Sequence, residues 1–331
     1  MIRTRKLTFI ALAAATAVTL ASCSSSGGRQ DTGDGGGAAA GVADTERMTI
    51  AMVTHAAPGD TFWDIVRSGA EDAAAKDNVD LNYQGAPEAA DQVNLVQSAI
   101  DSGVDGIAVT LAKADALAPA VQAATEAGIP VVAFNGGFGE WQETGALGYF
   151  GQDEEIAGEA AGERLNEEGA QHSLCVIQEQ GHVGLEARCR GVDNTFSGTS
   201  EILYVTGTDM PSVQQSITSK LQQDPTIDRV VTLGAPFALT AVQSVGEAGS
   251  SATVATFDTN PELISAIQNG DVEWAIDQQP YLQGYLAVDS LWLYKTNGNT
   301  IGGGQATLTG PSFIDSSNVE RVAEFAAGGT R

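Results

Sequence analysis

The chain is poor in cationic side chains, and this shortage excludes one broad class of partner. Only 16 Lys and Arg stand against 42 Asp and Glu in 331 residues, which gives a formal net charge of −26. Without the three cations among the first six residues the net charge is −29. Such a chain repels phosphate backbones, and no basic patch interrupts its acidic field, so we predict that it does not bind nucleic acid.

Motifs of common enzymes are missing as well. The sequence contains no GxSxG and no HExxH, and its three histidines do not belong to a cluster of Cys and His ligands. The glycine-rich stretch 136–141 lacks the GxGxxG spacing of a dinucleotide-binding loop. We therefore predict a protein that is not an enzyme and has neither a cofactor nor a metal. His172 opens a strand and is expected to be structural, whereas His55 and His182 are expected in cleft loops as hydrogen-bonding groups.

No apolar run near the N-terminus is long enough to span a bilayer comfortably. Cations precede an apolar stretch at residues 7–20, and small residues follow it, which is typical of a secretory signal peptide. Residues 20–23, at the end of this stretch, read Leu-Ala-Ser-Cys, which resembles a bacterial lipobox. We expect residues 1–22 to be a lipoprotein signal peptide and Cys23 to carry the lipid that anchors the protein outside the cytoplasm, on the cell membrane.

Residues 23–46 are predicted to be a flexible tether after the lipidated cysteine. They are mostly Gly, Ser, Ala and Asp, and they cannot bury enough apolar surface to offset the entropy of ordering. The remaining chain is long enough for two lobes with separate cores. With Cys23 lipidated, Cys175 and Cys189 remain, and export to an oxidising compartment permits a disulfide between them. The alternative is two buried free thiols.

Strand and helix patterns alternate from Met48 onward. Residues 48–53 form an apolar strand pattern, and residues 62–77 carry apolar side chains on one helical face. This unit repeats to Tyr149 and then starts again, continuing to the strand pattern at 272–277. Apolar strands joined by helical crossovers predict parallel sheets covered on both faces. We therefore expect an α/β fold with two doubly wound parallel-sheet lobes.

Polar side chains gather at the predicted carboxyl ends of the strands, where open parallel sheets bind ligands. Amides and carboxylates dominate, as a neutral polyhydroxylated ligand requires, because each hydroxyl both donates and accepts. Phe62 and Trp63 follow the first strand, and one ring could stack on a sugar while the other packs in the core. The other candidate ligand-binding residues are His55, Asp115, Asn135, Asp153, Arg188, Asp258 and Gln278.

Four segments carry a resemblance to a known family: 128–135, 149–165, 181–192 and 257–285. In this order and spacing they resemble the type I periplasmic sugar-binding proteins, the ribose-binding-protein group that serves ABC importers. The resemblance covers the chain from Met48 to about Ser312. It implies two Rossmann-like lobes joined by three hinge strands, which close on a sugar. The implied lobes comprise residues 47–150 with 280–306, and residues 151–279 with 307–331.

The resemblance also implies ligand contacts at individual residues. Phe62 and Trp63 stand where the family places ring-stacking aromatics, and Asn135 follows "VVAF", where the family commonly has an acid. The residues that match the family's ligand arginine, aspartate and glutamine are Arg188 in "LEARCRG", Asp258 after "ATF" and Gln278 in "DQQP".

The sequence also departs from this family, and the departures leave the sugar open. The family often has Asn-Asp after the strand that ends here at Leu233, but this chain reads "GAPFAL". The amide at Asn135 replaces an acid, and the first loop is longer than usual.

The implied function is a monomeric, lipid-anchored receptor that captures a monosaccharide and passes it to an ABC permease. Alternatives on the same fold are a nucleoside, a polyol or a signalling furanone as ligand. A sugar-acting enzyme would need an acid/base couple, for which Asp258 and Asp277 are the candidates. Calcium at the acidic triplet 153–155 lacks EF-hand spacing, and these acids better suit a helix N-terminus. A transcriptional regulator would need a helix-turn-helix and a basic face at the N-terminus.

Overall fold

Two six-stranded sheets organise residues 42–331, the part of the chain that this computed structural model describes. The predicted signal peptide, the lipidation site Cys23 and most of the predicted tether lie outside the described residues. Within the described part, none of the helices combines the length and the apolarity that crossing a membrane requires.

The helices and strands alternate along most of the chain, as the sequence pattern predicts; β4 and β5, and β11 and β12, follow each other without an α-helix between them. The strands are β1 (Met48–Thr54), β2 (Val79–Gly85), β3 (Gly106–Val109), β4 (Val131–Phe134), β5 (Tyr149–Gly151), β6 (His172–Ile177), β7 (Thr199–Tyr204), β8 (Arg229–Thr232), β9 (Thr253–Phe257), β10 (Trp274–Asp277), β11 (Thr307–Leu308) and β12 (Ser312–Asp315). The helices are α1 (Thr61–Asp77), α2 (Ala89–Asp101), α3 (Ala114–Glu126), α4 (Glu154–Glu167), α5 (Val183–Thr195), α6 (Met210–Gln223), α7 (Ala235–Ala248), α8 (Pro261–Asn269), α9 (Pro280–Asn297) and α10 (Val319–Ala327).

Strand order shows that each sheet is doubly wound. The first sheet has the order β11-β5-β4-β3-β1-β2, and all its strand pairs are parallel. The second has the order β12-β10-β9-β8-β6-β7 and is parallel except for β12, which runs antiparallel to β10. The predicted α/β fold with two parallel-sheet lobes is confirmed.

Apolar side chains are buried on both faces of each sheet. In the first sheet, Val53 and Val109 belong to one core cluster, whereas Met52 and Phe134 belong to another. The second sheet is likewise covered by two separate clusters. Every residue of β3 and β4 is buried, which explains why these strands read as continuous apolar runs without alternation.

The described chain passes between the two sheets at three places. These crossings are 152–153 after β5, 278–279 after β10 and 309–311 after β11. The sequence prediction placed the last change of lobe at residue 307, which is too early because β11 still pairs with β5 of the first sheet. The rest of the predicted lobe division stays a proposal.

Side chains connect the crossings to each other and to the C-terminal segment. Gln279 is left-handed (φ 56°), and its side-chain Nε2 donates to the Thr309 carbonyl at 2.6 Å. Pro280 then opens α9, where its missing N–H costs no hydrogen bond. Asp277, fully buried at the end of β10, has its Oδ2 2.5 Å from Arg331 Nη2. Burial raises the pKa of Asp277, and the arginine acts in the opposite direction.

Glycines allow two helices of the first lobe to pack backbone against backbone. A Cβ on Gly284 of α9 would lie 1.9 Å from the Val66 carbonyl oxygen of α1. We expect Gly284→Ala to lower the free energy of unfolding by about 1–3 kcal/mol, because the two helices would have to move apart. Urea unfolding measures this change.

The matched control is Gly246→Ala in α7. An added Cβ there meets no atom within 4 Å. Removing backbone freedom from the unfolded chain should make this variant about 0.5–1 kcal/mol more stable. A Gly284→Ala protein as stable as the Gly246→Ala protein would contradict the close packing of α1 and α9.

A disulfide joins Cys175 of β6 to Cys189 of α5, 14 residues apart. It ties α5 to the second sheet next to Arg188, one of the predicted ligand residues. Replacing both cysteines with alanine should lower the free energy of unfolding by about 3 kcal/mol, as expected for a loop of about 15 residues. Urea unfolding of the double variant checks this value. Thiols at these positions that react with an alkylating agent without prior reduction would show instead that they are free.

Candidate functional site

Two left-handed residues stand directly after the ends of β4 and β9. Asn135 has φ 61° and Asp258 has φ 63°. Asn and Asp tolerate this conformation better than other side chains, which fits their presence here. Both are buried, at 7% and 8% exposure. Strained backbone at paired strand ends is a feature of functional sites, and here it coincides with the polar groups that the sequence singles out.

A network of amides links Asn135 of the first lobe to Asp258 of the second. Asn135 Nδ2 donates to Gln278 Oε1 at 3.1 Å and to Gln283 Oε1 at 3.2 Å. Gln278 Nε2 donates to Asp258 Oδ1 at 2.6 Å, and Gln283 Nε2 donates to Gln278 Oε1 at 2.8 Å. Gln278 lies on a crossing between the sheets, so one side chain connects the two halves of the site.

Arg188 is the buried cation of this site. It holds Glu154 with two bonds, Nε to Oε2 at 2.6 Å and Nη2 to Oε1 at 3.2 Å. Its Nη1 donates to the Leu233 carbonyl at 3.2 Å and to Asp258 Oδ2 at 3.4 Å. The guanidinium also lies 4.6 Å from the centre of the Phe257 ring. Such a bidentate fork fixes the direction in which the remaining donors point.

Two carboxylates share this one arginine. Burial raises the pKa of both Glu154 and Asp258, and Arg188 acts against this rise in each case. Burial alone would lower the pKa of Arg188, but the two carboxylates raise it above its usual value. The arginine therefore stays charged, and hydroxyl donors of a bound ligand would offset the excess of negative charge.

Asp60 is a member of the site that sequence reasoning missed. It caps α1, where its Oδ1 accepts from the Phe62 backbone N–H at 3.1 Å. Burial raises the pKa of Asp60 to about 6; the Phe62 N–H opposes this, while the charges of Asp258 and Asp64 add to it. An acid directly before a predicted helix is an N-cap signal, and it could have revealed this residue.

The two aromatic residues at the start of α1 have different surroundings. Trp63 is 6% exposed and packs edge-on against His55 at 4.7 Å and Phe134 at 6.5 Å between ring centres. Phe62 is only partly buried and contacts the edge of Trp63. Trp63 is therefore the ring packed in the core, and Phe62 is the one that keeps accessible surface.

His55 and His182 meet across the two lobes. The His182 ring caps α5, because its Nδ1 accepts from the backbone N–H groups of Gly184 and Leu185 at 3.1 and 3.4 Å. A neutral ring with this Nδ1 carries its proton on Nε2, which lies 3.0 Å from His55 Nε2. His55 is then the acceptor, and its own Nδ1 donates to Thr110 Oγ1 at 2.8 Å.

This histidine pair and Glu179 place three ligand-type atoms within 4.8 Å of one another. Metal-bound histidines usually donate a hydrogen bond from the nitrogen that does not bind the metal. His182 does the reverse, because its Nδ1 accepts two backbone hydrogen bonds and its proton occupies the side facing His55. The group is arranged as a hydrogen-bonded chain and not as a metal centre.

Two predicted ligand residues, Asp115 and Asp153, do not join the polar network around Arg188 and Asp258. Asp115 lies exposed in the first turn of α3. Asp153 caps α4, and its Oδ1 accepts from the backbone N–H groups of Glu155 and Ile156 at 3.1 and 3.2 Å. Asp277, which a sugar-acting enzyme would use together with Asp258, is also engaged in other contacts. It pairs with Arg331 and accepts a hydrogen bond from the Gln279 N–H.

Two further buried polar residues belong to the site, although no sequence motif predicts them. Gln152 is fully buried, and its Nε2 donates to Glu154 Oε2 at 2.7 Å. Its Oε1 has no hydrogen-bond partner within residues 42–331. Gln152 directly follows β5, a strand of three residues that the sequence pattern did not predict. Gln283, inside α9, gives no such signal in the sequence.

Two parallel-sheet lobes, three crossings between them and a buried polar cluster at the facing strand ends define a two-lobed binding protein. The chain belongs to the family described as the periplasmic binding protein domain, whose model matches residues 50–299. The predicted family and fold are thereby confirmed.

One solved structure and two curated proteins that are similar to this chain are consistent with this family. The crystal structure of a carbohydrate transporter from Acidothermus cellulolyticus 11B, in complex with myo-inositol, is 59% identical, with a TM-score of 0.86, and the match covers 86% of this chain and 100% of that one. A xylose/arabinose-binding protein, XylF of Sulfolobus acidocaldarius, is 29% identical over 73% of this chain, but the match spans only 65% of that relative's length. A xylitol-binding protein of Mycolicibacterium smegmatis is 25% identical over 81% of this chain and 74% of its own length.

Proposed function

We propose that this protein is an extracytoplasmic solute-binding protein that captures a monosaccharide-sized, polyhydroxylated ring between its lobes and delivers it to an ABC-type permease. The observation that carries this proposal is the buried network from Asn135 through Gln278 to Asp258 and Arg188. It combines amide, carboxylate and guanidinium groups from both lobes. Such groups match hydroxyls, which donate and accept at once.

The relatives indicate which ligands to test first. The 59% identical protein was solved with myo-inositol, and the curated relatives are named for xylose, arabinose and xylitol. All of these are small neutral compounds with several hydroxyl groups. They support sugars and sugar-like polyols over the nucleoside and furanone alternatives. Myo-inositol is therefore our first candidate, followed by pentoses.

Binding without catalysis is the function that these residues suit. The two carboxylates that the enzyme alternative would use are engaged, Asp258 with Gln278 and Arg188, and Asp277 with Arg331. The family and the relatives above are solute-binding proteins. The lobes would close because a ligand contacts both of them only in the closed form.

Anchoring to the membrane through a lipid on Cys23 is a further part of the proposal. Its support is the lipobox-like sequence before this residue and the Ser- and Gly-rich stretch after it. A Cys23→Ser variant should be lost from the membrane fraction and the wild type retained there. Equal membrane association of both proteins would contradict the anchor.

A thermal-unfolding screen tests the ligand class. The purified protein is heated with myo-inositol, pentoses, hexoses, xylitol and nucleosides, and a ligand at ~100 times its dissociation constant should stabilise by about 2.7 kcal/mol. Isothermal titration calorimetry then measures the affinity. A protein stabilised only by nucleosides, or by none of these compounds, would overturn the proposed ligand class.

A further inference from the structure

The histidine pair is a direct contact between the lobes and is separate from the amide network. His55 follows β1 of the first lobe, and His182 begins α5 of the second. Both are buried, at 9% and 7% exposure. Each ring uses both nitrogens: His55 contacts Thr110 and His182, and His182 contacts His55 and the start of α5. Neither ring therefore has a nitrogen left with which to recognise a ligand.

Other contacts across the lobes surround this pair. The Val183 backbone N–H donates to the Ala112 carbonyl at 3.1 Å, although these residues belong to different lobes. Lys113 Nζ donates to the Gln180 carbonyl at 2.7 Å and lies 3.1 Å from Glu179 Oε1. The segments 110–113 and 179–183 thus touch directly, away from the three crossings. The lobes are therefore in direct contact in this structure, and we take it as the closed form.

We infer that His55 and His182 are positioning residues for ligand capture: they hold the lobes together without touching the ligand, and they do so only while both rings are neutral. This inference rests on the proposed function, because it assumes that the lobes separate to admit a ligand. The structural basis is the position of the protons along the hydrogen bonds that run from His182 through His55 to Thr110. The bond from His182 to His55 needs an acceptor at His55 Nε2, and a proton there would place two N–H groups 3.0 Å apart.

Protonation should therefore favour the open form. In the closed form burial lowers the pKa of His55 to about 3, assisted by Lys113, and burial also holds the pKa of His182 well below its usual value. In an open form both rings would face water, with pKa values of about 6.5. The open form then binds protons that the closed form rejects, so closure is fully favoured above about pH 6.5 and weakens as the pH falls below it.

The charged groups around the pair act in known directions. Lys113 opposes protonation of both rings, and Arg188 opposes it at His182, whereas the Glu179 carboxylate lies close enough to favour it. Asp60, which lies elsewhere in the site, makes closure depend on pH in the opposite direction. Its pKa of about 6 in the closed form means that closure takes up a proton there as the pH falls. The contribution of the histidines must therefore be measured as a difference between two proteins that both keep Asp60.

His182→Asn is the variant that separates these effects. The asparagine side chain can still cap α5, because its oxygen accepts from the same backbone N–H groups. It does not reach His55 and does not titrate. The control is His172→Asn. His172 is also a buried histidine, but it contacts Thr226 and Glu201 within the second lobe.

Calorimetric titration with myo-inositol at pH 7.5 and pH 5.5 gives the test. We expect the wild type to bind about 10-fold or more weakly at pH 5.5, since each histidine contributes about 10-fold and Asp60 returns part of this loss. His182→Asn should bind about 2- to 10-fold more weakly than the wild type at pH 7.5 and should lose most of the dependence on pH. His172→Asn should follow the wild type. Parallel profiles for the wild type and His182→Asn would overturn the inference.

A separate measurement keeps this inference distinct from the proposed ligand. If the wild type binds none of the sugars, polyols or nucleosides at pH 7.5, the proposed function fails, and the histidine contact is then tested without a ligand. Small-angle X-ray scattering should show a larger radius of gyration at pH 5.5 than at pH 7.5 for the wild type and no such change for His182→Asn. An unchanged radius in the wild type would overturn the inference.

Discussion

An Asp258→Asn variant is expected to bind myo-inositol more weakly than the wild type by about 2–4 kcal/mol at pH 7.5, measured by isothermal titration calorimetry. The substitution removes a buried negative charge that accepts from Gln278 at 2.6 Å and from Arg188 at 3.4 Å. A ligand hydroxyl that donates to this carboxylate would lose a charge-assisted hydrogen bond. Asparagine tolerates the left-handed backbone at this position, so the variant should keep its fold.

Asp115→Asn is the matched control for this result. It makes the same chemical change at a residue that the sequence also suggested but that lies exposed in α3. Its affinity should equal that of the wild type. An unchanged affinity in Asp258→Asn, at a ligand concentration that saturates the wild type, would show that the site is assigned wrongly. A loss of affinity in Asp115→Asn would restore that residue to the binding site.

A Glu154→Gln variant should lower the free energy of unfolding by about 3–5 kcal/mol, the largest loss of stability expected among the substitutions proposed for this protein. Glu154 and Arg188 are both buried, and the two side chains share two hydrogen bonds. Glutamine keeps the size of the side chain but offers Arg188 a single neutral acceptor. The buried arginine then loses its bidentate carboxylate partner and keeps only the longer, 3.4 Å contact with Asp258. Urea unfolding at pH 7.5 measures the change.

Glu155→Gln controls for the loss of a carboxylate from the same helix. Glu155 pairs with Arg190 at 2.8 Å on the exposed face of α4. Ion pairs at such positions contribute little, and we expect a stability close to that of the wild type. Equal unfolding midpoints for the Glu154 and Glu155 variants would contradict the view that Glu154 is the buried partner of Arg188.

These two variants separate binding from positioning. Asp258 is expected to touch the ligand, so its loss should change affinity and leave the unfolding transition nearly in place. Glu154 is expected to orient Arg188, so its loss should change stability first and affinity as a consequence. The two residues share one guanidinium, so their effects should not be additive when the substitutions are combined.

Short-range features of the sequence determined the elements and the polar residues at strand ends. The apolar runs of β3 and β4 and the helical spacing of α1 were sufficient to predict an α/β fold, because periodicity depends on neighbouring residues. Asn135, Asp258 and Gln278 were predictable for the same reason, since polar residues after buried strands meet at one edge of a parallel sheet. Arg188 was predicted because its segment, "LEARCRG", resembles the part of the sugar-binding family that carries the ligand arginine.

Only the tertiary structure decided which of these groups pair. Asn135 and Gln278 are 143 residues apart, and His55 and His182 are 127 residues apart, so no local pattern connects them. The fold also made Asp153 a helix cap, left Asp115 in solvent and buried Glu154 against Arg188. Each outcome depends on which face of a helix the packing of the lobes buries. Propensity and spacing specify the elements, whereas the partner of a buried charge is set by long-range packing.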